Sequence, residues 1–271
     1  MSPRRFSLGG GARVLAALLV LSIPATAAAA HVKGRFEGFR LLQNPVWAEA
    51  KDPKNHGYSF REPVPTVRAE FRRPFPYIPK ELCLVALAQS PQKPPKPITV
   101  SVGGGRTTPV TIVVPPGTLL SFKNTDAFKH RLYGVGQKTF LAGDTNKGAT
   151  RDWSAPAEPG TYEIRDELAP SLRMWIVSEP NAAAHTFPSM KGEFTVEVPE
   201  AGEYTLQAYF SGKKVGAPLP VTIKNEAQDL DASRTPIKVN DKAPPPEDKA
   251  ADKPDDKAEP KEADKPKEGD K

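Results

Sequence analysis

Residues 110–126, VTIVVPPGTLLSFKNTD, decide the fold of this chain. Two apolar, β-branched runs flank a Pro-Pro-Gly turn, which suits a pair of strands better than a helix. No long helical period occurs in the sequence, and its 31 prolines suit edge strands and turns. Similar short runs recur at residues 98–102, 110–114, 118–123, 161–165, 174–177, 193–198, 203–210 and 219–224. The sequence therefore predicts an all-β sandwich.

The same stretch and the histidine after it resemble a strand and loop of the cupredoxins, the plastocyanin-like copper proteins. In that family a Pro-Gly turn leads into a strand that ends in Asn-x-Asp, here residues 124–126. A histidine four residues later, here His130, is the family's first copper ligand. Residues 159–164 (PGTYEI) and 175–177 (WIV) resemble later strands of the same fold. The resemblance covers residues 98–180 and implies a Greek-key sandwich, which we place at residues 91–180.

The loop that carries the remaining copper ligands in cupredoxins has a different composition in this chain. A blue-copper centre needs two histidines and a thiolate, with a weak axial ligand. Residues 165–173 read RDELAPSLR, with neither cysteine nor histidine, and Met174 is the one soft ligand nearby. The charged residues of this loop are Arg165, Asp166, Glu167 and Arg173. Two interpretations stay open: a salt-bridged loop that fills the site, with His130 bonded to a carboxylate, or a new polar binding surface.

A second resemblance lies after residue 180. Residues 192–196 (GEFTV) and 198–206 (VPEAGEYTL) resemble the carboxypeptidase-regulatory-like, or transthyretin-like, β module, which is not a peptidase. Alternation directs Phe194, Tyr204 and Leu206 to one face, and Gly202 suits a tight turn. We therefore expect a small β module at residues 181–224. The order of the two modules resembles that of secreted, plastocyanin-related bacterial proteins.

The two ends of the chain predict export and a disordered tail. Residues 1–30 combine three arginines, an apolar run and A-x-A sites, which is typical of a cleaved secretory signal and predicts a periplasmic or secreted protein without a membrane anchor. Cleavage after Ala27 and after Ala30 both fit the pattern. Residues 31–90 are rich in arginine, proline and aromatic residues and contain a strand-like run at 81–88. Residues 225–271 are rich in Lys, Asp, Glu and Pro, which predicts disorder.

Few residues in the sequence point to catalysis. The single cysteine, Cys83, lies in an apolar run and suits a buried position. The four histidines have no helical ligand spacing, and neither a nucleophile elbow nor a phosphate-binding loop occurs. The formal net charge of +6 comes without a nucleic-acid-binding motif. We therefore expect neither an enzyme nor a nucleic-acid-binding protein.

Three functional hypotheses follow. The leading one is an exported, non-enzymatic binding or structural protein of the bacterial envelope, without blue copper or another cofactor, whose partner is an envelope protein or a glycan. The second is a Cu(II)-binding or carrier protein that uses His31 and His130, with His56 as a further candidate, if cleavage leaves His31 at the N-terminus. The third is a carbohydrate- or peptide-binding module that uses Trp153, Trp175 or Tyr133, and it needs one of these rings exposed beside a groove.

Overall fold

The fold consists almost entirely of β-strands, as predicted. A computed structural model describes residues 30–46, 76–225, 228–230 and 237–239. The helical segments include a 3₁₀ turn at Phe39–Leu41 and a short α-helix, α1, at Ile78–Glu81. None of the described helices is long and apolar enough to cross a membrane. Residues 1–29 of the predicted signal, most of the predicted tail and residues 47–75, which include His56, lie outside the described residues, whereas Ala30, the last residue of the predicted signal, begins β1.

Strands from the middle of the chain form a first sandwich, which we call the inner sandwich. One of its sheets has the order β4-β3-β6-β9, from Arg106–Thr108, Ile98–Gly103, Leu119–Asn124 and Thr150–Ser154. The other has the order β5-β11-β10-β7-β8, from Thr111–Val114, Arg173–Ser178, Gly160–Asp166, His130–Gly134 and Gly143–Thr145. Between the two sheets lies an apolar core that includes Phe122, Phe140, Ile164 and Ile176. Burial of these side chains is the main stabilising contribution to this sandwich.

Strands from both ends of the described chain form the outer sandwich. One sheet centres on β1 (Ala30–Glu37), which pairs with β13 (Glu193–Val198), β16 (Gln228–Asp229) and β17 (Ile237–Lys238). The other has the order β12-β2-β14-β15, from Ala182–Thr186, Leu82–Ala88, Gly202–Phe210 and Lys213–Ile223. The core between these sheets includes Phe36, Leu84, Phe194 and Leu206. Prolines 218 and 220 lie in the edge strand β15, where a missing N–H is tolerated.

The inner sandwich is an insertion within the outer one. The chain leaves the outer sandwich after β2 and returns to it at β12, which pairs with β2. Residues 31–90 and 181–224, which the sequence suggested as separate segments, thus contribute strands to the same sandwich. The composition of β2 explains its place: LCLVALA is apolar throughout, as expected for a central strand covered on both faces.

The two sandwiches share an apolar interface. Val85 and Tyr209 of the outer sandwich pack with Val113 and Val177 of the inner one, and Cys83 is fully buried among them. Backbone and side-chain hydrogen bonds cross the same boundary, including Thr161 Oγ1 to the Gly212 carbonyl at 2.8 Å. Gly212 has a φ of 75°, and a Cβ at this position would contact the Thr161 and Trp175 side chains. A glycine is therefore required at this contact.

Two short strands come from the segment predicted to be disordered. β16 and β17 both pair with β1, in parallel. Ile237 and Val239 are buried in the outer core. These are among the last large apolar residues of the chain, so the segment 225–239 has apolar side chains to bury and the segment after it does not.

Candidate functional site

The centre of the candidate site is His130, the first residue of β7. Its side chain is fully buried, and each ring nitrogen contacts a carboxylate. Nδ1 lies 2.5 Å from Asp166 Oδ2, and Nε2 lies 3.0 Å from Asp126 Oδ2. The Phe128 ring packs beside the imidazole, with centroids 4.9 Å apart. Carboxylates accept hydrogen bonds and do not donate them when ionised, so this arrangement suits an imidazolium that donates to both.

Asp166, at the end of β10, is the more deeply buried of the two carboxylates. Its side chain has no exposed surface. Oδ1 accepts backbone hydrogen bonds from Arg131, Leu168 and Ala169 at 3.2, 2.7 and 3.2 Å. With the imidazole on Oδ2, Asp166 therefore has four nitrogen partners. It joins β7, β10 and the loop after β10 into one rigid unit.

Asp126 holds the other side of the imidazole. Both its carboxylate oxygens lie 3.0 Å from the Gly104 backbone nitrogen, in the turn between β3 and β4. This N–H, together with His130, lowers the pKa of the Asp126 carboxyl below its ordinary value, although burial acts in the opposite direction. Asn124 shapes the loop: its amide donates to the Phe128 and Thr145 carbonyls, and its Oδ1 accepts from the Asp126 backbone N–H.

The remaining charges of the predicted polar loop lie elsewhere. Arg165 makes two hydrogen bonds to Glu163, at 2.8 and 3.1 Å, and Arg173 Nε lies 3.7 Å from the same carboxylate. These arginines are direct cross-strand neighbours in β10 and β11, so Glu163 reduces their repulsion. Glu167 pairs with Arg131 at 3.3 Å. Asp166 thus contacts His130, whereas Arg165 and Arg173 contact Glu163, and Glu167 contacts Arg131.

The other candidate copper ligand, His31, lies in the outer sandwich. It is in β1 opposite Glu197 of β13, whereas His130 belongs to the inner sandwich. The residue before it, Ala30, is 1% exposed and pairs with Val198. Burial raises the pKa of the Cys83 thiol to about 12. His31 and Cys83 belong to strands β1 and β2 of the outer sandwich, whereas His130 belongs to β7 of the inner sandwich.

The residues around His130 do not fit a blue-copper ion. Both imidazole nitrogens are engaged by carboxylates, and Met174 is fully buried in the inner core. Within the described ranges, no group of three or more His, Cys, Asp or Glu side chains is arranged to hold a metal ion. Asp166 occupies the coordination direction of Nδ1, where a ligand nitrogen would need a free lone pair.

The aromatic residues proposed for sugar or peptide binding are largely inside the protein. Trp153 is 4% exposed and Trp175 is 7% exposed. Trp153 Nε1 donates to Thr139 Oγ1 at 3.2 Å, and its ring packs near Phe140 and Tyr162. Tyr133 is half-buried. Neither tryptophan meets the exposure that a stacking surface for a sugar needs.

The sequence singles out His130 as a candidate copper ligand and Asp166 as part of a charged loop, but it assigns no role to Asp126 or Gly104. In the sequence, Asp126 stands out only as the last residue of the Asn-x-Asp pattern. Its spacing of four residues from His130 was a usable signal, since the loop returns the imidazole to the carboxylate. The contact with Gly104 depends on the packing of two separate loops and has no local signal in the sequence.

Comparison with known proteins gave structural neighbours only. No protein-family model matches the chain, and no curated protein matches it. Similar solved structures include a reduced amicyanin mutant, at 19% identity over 35% of this chain and 98% of that one, with a TM-score of 0.28. Another is a purple cupredoxin from Nitrosopumilus maritimus, at 18% identity over 30% of this chain and 99% of that one, with a TM-score of 0.27. The contacts around His130 bear more directly on function than these distant similarities.

Proposed function

We propose that this chain is an exported, non-enzymatic binding or structural protein of the bacterial envelope, in which a cupredoxin-like sandwich has an ion-paired histidine in place of a copper centre. Strands β13, β14 and β15, where the sequence resembles the regulatory-like module, contribute to the outer sandwich. The observation that carries the proposal is the contact of both His130 nitrogens with carboxylates, one of them fully buried. The partner class remains an envelope protein or a glycan.

Asp126, His130 and Asp166 form a chain of side-chain contacts that we call the His130 bridge. This bridge supports a structural role for His130, which matches the position of a copper ligand in cupredoxins. A buried carboxylate with four nitrogen partners is costly to disrupt, because any partner left alone is desolvated without compensation. The bridge links β7, β10 and the β3–β4 turn. In this proposal the bridge stabilises the end of the inner sandwich.

The burial of Ala30 bears on the second hypothesis, a Cu(II) carrier that begins at His31. Ala30 pairs with Val198 at the start of β1, so a mature chain that keeps this residue has the full strand. Cleavage after Ala27 keeps Ala30, whereas cleavage after Ala30 removes it and makes His31 the first residue. We therefore propose cleavage after Ala27, which denies His31 the terminal amine that the copper hypothesis requires.

The test combines processing with metal binding. The full chain is produced with its own leader in a bacterial host, and the exported protein is analysed by N-terminal mass spectrometry and titrated with Cu(II). We expect a mature N-terminus at Ala28 and no stoichiometric Cu(II) binding that depends on His130. Matched variants are His130→Ala and His31→Ala. One-to-one binding that His130→Ala abolishes would overturn the copper-free proposal, and an unprocessed chain in the cytoplasm would overturn export.

A further inference from the structure

A cavity of about 280 Å³ lies where the two sandwiches and the proline-rich linker meet. The residues that matter in its wall are Lys93 and Pro95 of the linker, Ile98 and Val113 of the inner sandwich, and Ala183 and His185 of the outer sandwich. Most of this lining is apolar. The cavity is distinct from the His130 bridge, because none of the bridge residues lines it.

His185 is the one side chain of the wall that can both donate and accept a hydrogen bond. In β12 it is opposite Val85, so it lies on the face of the strand that meets the inner sandwich. Its ring lies nearly perpendicular to that of Phe187, with centroids 5.8 Å apart, and its ring nitrogens make no hydrogen bond to any residue that the structure describes. Burial lowers the pKa of the imidazole, which favours the neutral ring. A neutral imidazole has one donor and one acceptor for a ligand.

The backbone of β12 contributes to the shape of the cavity. The register between β12 and β2 shifts between Ala182 and Ala184, which places a bulge at Ala183. Bulges redirect side chains and are frequent beside binding sites. The three consecutive alanines at 182–184 extend only a methyl group each, so the space beside His185 is not filled by this strand.

We propose that this cavity binds a small, uncharged, mainly apolar molecule with one hydrogen-bonding group, which pairs with the imidazole of His185. The size suits a molecule of one or two rings, because a dry cavity of about 150 Å³ already accepts benzene. An uncharged ligand fits because a charge would lose its hydration against the mostly apolar walls, and Lys93, the one charged residue of the wall, is itself exposed to solvent. This inference does not depend on export or on the copper-free His130 bridge, so either proposal can fail alone.

The test uses phenol as the probe and the mature, full-length protein. Phenol is titrated while the imidazole resonances of the histidines are followed by NMR, and benzene is titrated in parallel as a probe without a hydroxyl group. We expect saturable phenol shifts at His185 and weaker binding of benzene. In His185→Phe, phenol binding should weaken by about threefold to tenfold, the value of one hydrogen bond, while benzene binding stays.

Two further variants keep the proposal falsifiable if His185→Phe folds poorly. Ala183→Leu should fill the cavity and reduce the affinity for both probes, and His31→Phe, in β1 of the same sandwich, should leave both affinities unchanged. The proposal is overturned if phenol causes no saturable shift at His185, or if Ala183→Leu binds phenol as well as the unchanged protein does.

Discussion

Replacement of Asp166 by alanine should be among the most destabilising single changes in the inner sandwich. The substitution removes the carboxylate that contacts His130 Nδ1 at 2.5 Å and accepts three backbone N–H groups. Breaking a buried ion pair by removal of one partner costs about 3–5 kcal/mol, because the other charge stays buried. We expect Asp166→Ala to lower the free energy of unfolding by about 4 kcal/mol, a large part of the roughly 5–15 kcal/mol that holds a typical domain.

Two milder substitutions order the contributions within the bridge. Asp166→Asn keeps an oxygen for the three backbone N–H groups but loses the charge, so we expect a cost of about 2 kcal/mol. Asp126→Asn affects a side chain that is 19% exposed, and water can replace part of what is lost, so about 1 kcal/mol is expected. The expected order of cost is therefore Asp166→Ala, then Asp166→Asn, then Asp126→Asn.

Urea unfolding at pH 7, followed by tryptophan fluorescence, measures these differences, because Trp153 lies in the core of the inner sandwich. The control is Asp144→Ala, which removes a carboxylate that is 48% exposed from its partners Lys129 and Arg131 and should change stability little. A cost below about 1 kcal/mol for Asp166→Ala, with an unchanged m value, would refute the view that the bridge stabilises this sandwich.

Three further outcomes follow from the structure. Gly212→Ala should lower the free energy of unfolding by about 3 kcal/mol, because this residue has a positive φ and a Cβ would overlap its neighbours. Gly136 has a φ of 69° but open space around it, so Gly136→Ala should cost about 1 kcal/mol. Thermal unfolding of both variants measures the difference between these two costs. Cys83 should resist thiol reagents in the native state at pH 8 and react fully in urea, since only about one thiol in 10⁴ is ionised when the pKa is about 12. The pKa of Asp126 is lower in the folded protein than in the unfolded chain. Its ionised form therefore stabilises the fold fully at pH values above the ordinary Asp pKa of about 3.9, and this stabilisation is lost as the pH falls through the folded-state pKa. Acid unfolding should therefore be less steep in Asp126→Asn, and an unchanged curve would contradict this explanation.

Local patterns in the sequence predicted the strands well. Alternation and turn residues located β5, β6, β13 and β14, because a half-buried strand repeats every two residues and a Pro-Gly turn interrupts it. The interpretation of the charged loop included a carboxylate on His130, and Asp166 lies in that position in the structure. Both inferences depend on neighbours within the same strand or loop.

Long-range pairing was beyond what the sequence alone can indicate. β1 pairs with β13, and β2 lies between β12 and β14, so the first strands of the described chain find their partners near its end. Strand pairing depends on the complementarity of two distant segments, and neither segment carries information on the other that one sequence can reveal. The sequence also does not indicate that Asp126 contacts Gly104, or that the loop charges pair partly with Glu163 and partly with Arg131. Both arrangements depend on the packing of segments that are distant in the sequence.

The insertion of one sandwich within the other sets the order in which the chain can mature. All strands of the inner sandwich lie between residues 98 and 178. Every strand of this sandwich therefore has its pairing partners available before the C-terminal part of the chain is synthesised or translocated. β1 and β2 have unpaired edges until residues 182–239 have been synthesised or translocated. During this interval their apolar sequences are most prone to aggregate or to bind a chaperone. A chain that ends at residue 180 should therefore have a folded inner sandwich and an N-terminal segment, with β1 and β2, that is prone to aggregate. In a chain that extends past Val239, this segment pairs with the later strands and forms the outer sandwich.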